Sequence, residues 1–307
     1  MMWFFLISGA LIAIPLMIEL TRAPMSSAER GTATGQFAQL SQGVTHYEWF
    51  GPKRGPIVVC IHGLTTPSVV WGSLSKGLAL MGRRVLTYDL YGRGYSDRPR
   101  GKQNEAFFIQ QLNNLLHHED ITGTFSIIGY SIGGAIASIF AATHPNRIGQ
   151  LILLAPAEIK INSGKLAKLV AKTPILGDWL MLAFYPRQLR KGISAERKLA
   201  THIPRIADQQ ERELRNRGFM PAVLSSLRGI LSKLRHKEHR AMHHAGLPVL
   251  AIWGRNDAVI PIGAADALAE WSPSTVQMIV DDAGHGLPYT HANQTLEIIR
   301  KAMAAQT

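Results

Sequence analysis

Phe125-Ser126-Ile127-Ile128-Gly129-Tyr130-Ser131-Ile132-Gly133-Gly134 is the stretch that decides the fold. Phe125 to Ile128 is a short apolar run that reads as a buried strand, and Gly134 to His144, rich in Ala and Ile, reads as a helix. Gly129 to Gly133 between them is a G-x-S-x-G pentapeptide. A serine held between a strand and a helix must take a sharp turn. Small residues on either side let that turn form without collision and leave the Ser131 hydroxyl exposed at the strand end.

Serine is a weak nucleophile at its free pKa, so it needs a base within reach and a group that orients the base. Downstream, Pro248 to Trp253 reads as another apolar strand, ending in Gly254-Arg255-Asn256-Asp257. An acid at that strand end lies on the same sheet edge as Ser131 if the strands run parallel. Val276 to Val280 reads as a final strand and leads through Asp281-Asp282-Ala283-Gly284 to His285. The chain order is therefore Ser131, Asp257, His285. Upstream, Ile57 to Ile61 reads as a strand ending in His62-Gly63-Leu64. The backbone N–H groups of Leu64 and Ile132 could together hold a developing oxyanion, and losing one such donor costs about 3 kcal/mol of transition-state stabilisation.

On these residues the chain resembles α/β-hydrolases of the capped, lipase- and esterase-like branch. The resemblance is carried by His62-Gly63, Asp89-Leu90-Tyr91-Gly92-Arg93-Gly94-Tyr95-Ser96-Asp97, Gly129 to Gly134, Gly254-Arg255-Asn256-Asp257 and Gly284-His285. It implies a mostly parallel central sheet flanked by helices, with a helical cap inserted before the acid-bearing strand. It also implies serine-hydrolase chemistry, with Ser131 as nucleophile, His285 as base and Asp257 as orienting acid, and neither an organic cofactor nor a metal. Haloalkane dehalogenases and epoxide hydrolases have an aspartate at the nucleophile position, and Ser131 argues against both.

Each residue has a plainer reading when taken alone. Ser131 would cap the following helix, Asp257 would cap the next one, and His285 would be a surface loop histidine. Their joint arrangement, in order and at strand ends, is what favours chemistry. Asp281 and Asp282 are rival acids that sit too close to His285 along the chain to be the first choice. Asp97 reads as support for the loop after Tyr88-Asp89. Gly92-Arg93-Gly94 reads as the turn of that loop, since the chain has no phosphate-binding G-x-x-x-x-G-K-[ST].

Composition agrees with one enzyme-sized unit: 307 residues, 46% hydrophobic and 18% charged, lie outside the disordered class. Strands without polar alternation alternate with helical stretches, the pattern of a parallel sheet covered on both faces. The single cysteine, Cys60, excludes an intrachain disulfide. The catalytic domain is expected over residues 37–156 and 246–307.

Residues 157–245 break the rhythm and read as a helical cap, punctuated by Pro174, Pro186, Pro204 and Pro221. Trp179, Met181, Leu182, Phe184, Phe219 and Met220 are expected to include pocket-lining residues, with ordinary cap core as the alternative. The cap carries 18 Lys and Arg against 7 Asp and Glu, an excess of 11 in a chain of net charge +12. Such a surface suits an anionic lipid surface or an acidic substrate; a solvated basic face without a partner is the alternative. No zinc-finger, RNA-binding or helix-turn-helix spacing supports nucleic acid as a partner.

Met1 to Ile18 contains no charged side chain and, as a helix, would be about 27 Å long against a hydrocarbon thickness of roughly 30 Å. It predicts an N-terminal membrane anchor over residues 1–20, followed by a linker over 21–36. Positive charge on the C-terminal flank alone would turn the catalytic domain to the cytoplasm. A small-residue site at Ser26-Ser27-Ala28 offers export after signal cleavage as the alternative.

The sequence thus predicts a membrane-associated serine hydrolase acting on a small lipophilic carboxylic ester, a monoacylglycerol-like or other lipophilic substrate. The same triad can cleave a carbon–carbon bond in a vinylogous diketone, and Ser96-Asp97-Arg98-Pro99 resembles a segment of that branch. The third reading is a non-catalytic binding protein of the same fold.

Overall fold

The expected strands lie together in one eight-stranded sheet, whose first two strands were not among those expected. The structure, a computed structural model, describes residues 2–162 and 164–305, with side chains from Ile12 onward. The strands are β1 (Gln36–Leu40), β2 (Gly43–Phe50), β3 (Ile57–Ile61), β4 (Arg84–Tyr88), β5 (Phe125–Tyr130), β6 (Ile148–Leu154), β7 (Val249–Gly254) and β8 (Val276–Val280). Their spatial order is β1-β2-β4-β3-β5-β6-β7-β8. β1 and β2 form an antiparallel hairpin, β2 pairs antiparallel with β4, and every later pair is parallel. The strand order therefore reverses direction beside β3 and β5. In such sheets ligands bind beyond the carboxyl ends of the strands, near that switch point. The middle strands are buried on both faces, with Val58, Val59, Cys60, Ile61, Ile127, Ile128, Leu151, Ile152, Ala251 and Ile252 all removed from solvent. This is why they lack polar alternation.

The helices are α1 (Met2–Thr21), α2 (Ser27–Arg30), α3 (Gly72–Leu80), α4 (Glu105–His118), α5 (Ile132–Thr143), α6 (Gly164–Lys172), α7 (Leu176–Glu196), α8 (Ile206–Glu213), α9 (Phe219–Arg228), α10 (His236–His244), α11 (Ala264–Trp271), α12 (Leu287–Thr290) and α13 (Ala292–Ala304). Helix α5 is buried along nearly its whole length, as a helix apolar on every side must be. It packs on β5 and β6 and is flanked by α4 and α10, while α3 and α13 pack against each other. Helices α6, α7 and α9 share a separate apolar core around Val170, Met181, Phe219, Met220 and Val223, which makes the cap a small packed body in its own right.

Two features of the 157–245 segment differ from the sequence reading. Pro186 does not break the chain but lies buried inside the single 21-residue helix α7. Helix α10, at the end of the segment, packs on α5 and α11 and so belongs to the layer against the sheet. Arg93, fully buried, ties cap to core: it donates to the Leu64 carbonyl at 3.1 Å and to Ser226 Oγ of α9 at 2.8 Å. Burial lowers its pKa to about 9. Several cap cations are neutralised locally, among them Arg197 by Asp208 and Glu211, and Arg228 by Asp178.

The expected N-terminal membrane anchor is corrected. Among the described residues no helix is long and apolar enough to cross a membrane. The side chains of residues 1–11, where part of that expectation falls, lie outside the described residues. The rest of α1 docks sideways on the cap: Trp179 Nε1 donates to the Ile12 carbonyl at 3.1 Å, and Pro15 is buried. Glu19, only 8% exposed, pairs with Arg22 and accepts from the Gly218 N–H at 2.6 Å. A carboxylate fixed in this way needs protein or water around it, which a lipid-spanning helix would not give it. The cytoplasm-facing placement, which rested on the span, is withdrawn with it. The expected linker is partly structured: Ser26 caps α2 through the Glu29 N–H, and Arg30 pairs with Asp97.

Candidate active site

Ser131 sits where β5 ends and α5 begins, with backbone angles φ 54° and ψ −118°. A non-glycine residue in that region carries strain of about 1–3 kcal/mol, held here by the surrounding backbone. The Ser131 N–H donates to the Leu154 carbonyl at 3.0 Å, and its carbonyl accepts from Gly134 at 2.9 Å. The flanking glycines are obligatory for contact reasons. A Cβ on Gly129 would lie 2.4 Å from the Gly133 carbonyl oxygen, and one on Gly133 would lie 2.0 Å from that of Ile61.

The three side chains singled out in the sequence stand in one hydrogen-bonded line. His285 Nε2 lies 3.1 Å from Ser131 Oγ, and His285 Nδ1 lies 2.8 Å from Asp257 Oδ2. Asp257 is 7% exposed and cannot swing away, because its other oxygen accepts from the Val259 and Ile260 N–H groups, each at 2.8 Å. The loops bearing Asp257 and His285 are stitched together by Asn256 N–H to the Ala283 carbonyl at 2.9 Å. A Cβ on Gly254 would break that approach, meeting the Ala283 carbonyl at 2.6 Å. Tyr130, the residue before the serine, donates from its hydroxyl to the His285 carbonyl at 2.8 Å and lays its ring beside the imidazole. The rival acids are elsewhere: Asp281 pairs with Arg255 on the surface, and Asp282 is exposed.

Leu64 follows β3 in the loop that faces Ser131, and Ile132 opens α5, where the first-turn N–H groups have no intrahelical acceptor. That loop is set from behind by His62, which is fully buried. Its Nδ1 donates to the Gly63 carbonyl at 2.7 Å and its Nε2 accepts from the Leu90 N–H at 2.8 Å. Burial lowers its pKa to about 4, so the ring is neutral and structural.

A cavity of about 340 Å³ opens over Ser131 and His285, near the lower end of the roughly 300–1,000 Å³ range of small-molecule sites. Of the six cap residues expected to include lining residues, Phe219 lines it. Met181 and Met220 are buried in the cap core, Leu182 packs against that core, and Trp179 and Phe184 form an edge-on pair away from the cavity. Much of the cap wall is Tyr185, Gln188, Leu189, Gly192, Ile193 and Glu196, one face of α7. Their spacing of three and four residues is a helical stripe legible in principle, hidden by treating Pro186 as a break.

The comparisons with known proteins agree with this architecture. The model of a family described as the α/β hydrolase fold matches residues 56–292. A pimeloyl-[acyl-carrier protein] methyl ester esterase of Aeromonas salmonicida is 27% identical over 256 residues, covering 82% of this chain and 96% of that protein. A 2-hydroxymuconate semialdehyde hydrolase of Pseudomonas putida is 27% identical over 228 residues, covering 72% of this chain and 77% of that protein. The enol-lactonase of Burkholderia xenovorans LB400 superposes with a TM-score of 0.72 at 18% identity, covering 88% of this chain and all of that one, a likeness of fold.

Proposed function

The chain belongs to the α/β-hydrolase fold family, and from that premise we propose that it is a serine hydrolase cleaving a carboxylic ester through an acyl-enzyme intermediate. The observation that carries the reading is the continuous line from Ser131 Oγ through His285 to Asp257, opening into a closed-over cavity. Ser131 Oγ attacks the ester carbonyl carbon while His285 Nε2 takes the hydroxyl proton. The carbonyl π electrons move to oxygen, where the Leu64 and Ile132 N–H groups meet the charge. Collapse expels the alcohol, which leaves with the proton from His285. Water then attacks the acyl-enzyme, gives its proton to His285 and releases the acid and the free serine. Asp257 holds Nδ1–H throughout and so keeps Nε2 as the acceptor.

The partner is an ester with an apolar portion, suited to Leu189, Ile193, Phe219, Leu227 and Leu231 along the cavity wall. The esterase relative from Aeromonas supports this class of substrate. Carbon–carbon hydrolysis is the second reading, favoured by the semialdehyde hydrolase relative. The segment Ser96-Asp97-Arg98-Pro99 lends it nothing further, because Asp97 accepts from the Val44 N–H and Arg98 faces Glu213, both outside the cavity.

Hydrolysis of p-nitrophenyl esters from acetate to laurate by the wild type and Ser131→Ala is the test. A loss of about 10⁴-fold or more in kcat, with an unchanged melting curve, is expected. Retained turnover in the variant would remove the mechanism. Turnover of a vinylogous diketone, followed by ultraviolet absorbance, with none of any ester would install the second reading.

A further inference from the structure

The cavity wall is not uniformly apolar. Four polar side chains from four separate elements converge on it: Thr66 after β3, Glu196 at the end of α7, Gln210 on α8 and Tyr289 on α12. Tyr289 Oη donates to Glu196 Oε2 at 2.6 Å. Gln210 Nε2 donates both to Thr66 Oγ1 at 3.0 Å and to Glu196 Oε2 at 3.3 Å. None of these groups touches the Ser131 or His285 side chain by hydrogen bond, and the proposed ester hydrolysis uses none of them.

The bonds leave a defined remainder. The Gln210 amide cannot turn over, since its oxygen would then face the Glu196 carboxylate. Its Oε1 is consequently held as an acceptor, yet Gln210 is only 6% exposed and that oxygen has no partner among the described residues. Glu196 Oε1 likewise takes no hydrogen bond among them. Thr66, 5% exposed, has accepted through Oγ1 and keeps its own proton to donate. Burial, followed by the Glu196 charge, holds the Tyr289 hydroxyl protonated well above the ordinary phenol range, so it remains a donor committed to Glu196. A buried acceptor left without a donor is costly, and native proteins rarely leave one without a ligand or water to meet it.

We propose that Gln210, Glu196 and Thr66 form a specificity subsite for a hydroxyl-bearing substituent of the substrate. The proposal rests on the ester-hydrolase reading and names the class of ester. A hydroxyl matches the remainder in both directions: it donates to Gln210 Oε1 or Glu196 Oε1 and accepts from the Thr66 hydroxyl. An ammonium group could satisfy the acceptors but would leave the Thr66 proton facing a group with no lone pair. The hydroxyl can belong to the alcohol portion, as in a glycerol monoester, or to the acyl portion, as in a hydroxy acid ester. A site built to hydrogen-bond a hydroxyl discriminates strongly against the analogue that lacks it.

The test compares kcat/KM of the full chain on matched esters by pH-stat titration. Glyceryl monobutyrate is set against propyl butyrate, and ethyl 3-hydroxybutyrate against ethyl butyrate, with 2-aminoethyl butyrate as the ammonium probe. The wild type is expected to prefer at least one hydroxylated ester by ten-fold or more, through KM, and the responsive pair tells which portion carries the hydroxyl. In Gln210→Leu and Glu196→Gln that preference should fall to about two-fold or less. Equal treatment of both pairs by the wild type, a preference retained in both variants, or a larger preference for the ammonium ester would each overturn the proposal. The wild-type comparison stands even if a variant fails to fold. Ser131-dependent turnover of p-nitrophenyl butyrate without hydroxyl preference would remove the subsite alone. Absence of turnover on every ester would remove the reading beneath it as well.

Discussion

Among the described residues two aspartate–histidine pairs have the same 2.8 Å contact between carboxylate and Nδ1. One is Asp257–His285 beside Ser131; the other is Asp89–His46, at the end of β4. They differ in what the far nitrogen meets. His46 Nε2 faces the Thr34 carbonyl at 2.6 Å, an acceptor only, so both ring nitrogens must donate. Burial opposes charge on that ring, but the hydrogen bond and charge of Asp89 outweigh it and raise the His46 pKa. The reciprocal effect holds the Asp89 carboxyl well below its usual range, against the cost of its burial. Asp89 also accepts from the Ser68 and Tyr95 N–H groups, and the pair is sealed. His285 Nε2 instead faces a hydroxyl that can give up its proton, and its side chain is 20% exposed toward the cavity. The same two residue types therefore serve as a rivet in one place and, in the function we propose, as a proton relay in the other. The neighbour on Nε2 makes the difference.

The sharpest way to break that contrast is to make the same isosteric change in both pairs. Asp257→Asn should lower kcat by about 10⁴-fold while leaving the thermal midpoint nearly unchanged, because the imidazole loses the partner that selects its tautomer. Asp89→Asn should do the reverse, removing about 3 kcal/mol of stability by stranding the His46 cation, with kcat per folded molecule retained. Parallel melting and steady-state curves check both. If Asp89→Asn proved as inactive as Asp257→Asn while fully folded, the division into rivet and relay would fail.

The smaller effect is in pH. Because the folded state raises the His46 pKa, the stabilisation from its charge is fully present below about 6.5 and is lost as pH rises through the folded value. The depressed Asp89 carboxyl contributes above about 4 and loses its contribution as pH falls. The midpoint difference between wild type and His46→Gln should thus be largest near pH 5–6 and shrink toward pH 9. A difference that grows across that range would show that His46 is neutral in the folded protein.

The contrast also explains what a reader of the sequence could and could not see. Ser131 is signalled by residues that touch it along the chain, and Asp257 and His285 by the ends of strands whose apolar runs are themselves local signals. The parallel part of the sheet was legible for the same reason: buried parallel strands announce themselves by unbroken hydrophobicity, whereas the partly exposed antiparallel hairpin of β1 and β2 went unread. The Asp89–His46 pair has no such local mark, since its partners lie 43 residues apart in sequence. Arg93 was legible only as part of a turn. The turn is there, with Gly92 and Gly94 at positive φ, but the buried guanidinium reaches cap residues more than 120 positions downstream. The N-terminal segment misled for a related reason: its lack of charge to Ile18 was visible, whereas the pairing of Glu19 with Gly218 was not.

Cys60 lies in the centre of β3, fully enclosed, and burial pushes its thiol well above the ordinary range. As the only cysteine, it makes the native chain a blank background for thiol chemistry. A reagent that reacts with it counts global openings of the sheet, so the labelling rate is a clock for unfolding that needs no optical probe. Conversely, two cysteines introduced on α7 and α3 could carry a pair of dyes without competition from the native residue. The distance between cap and core could then be followed during turnover.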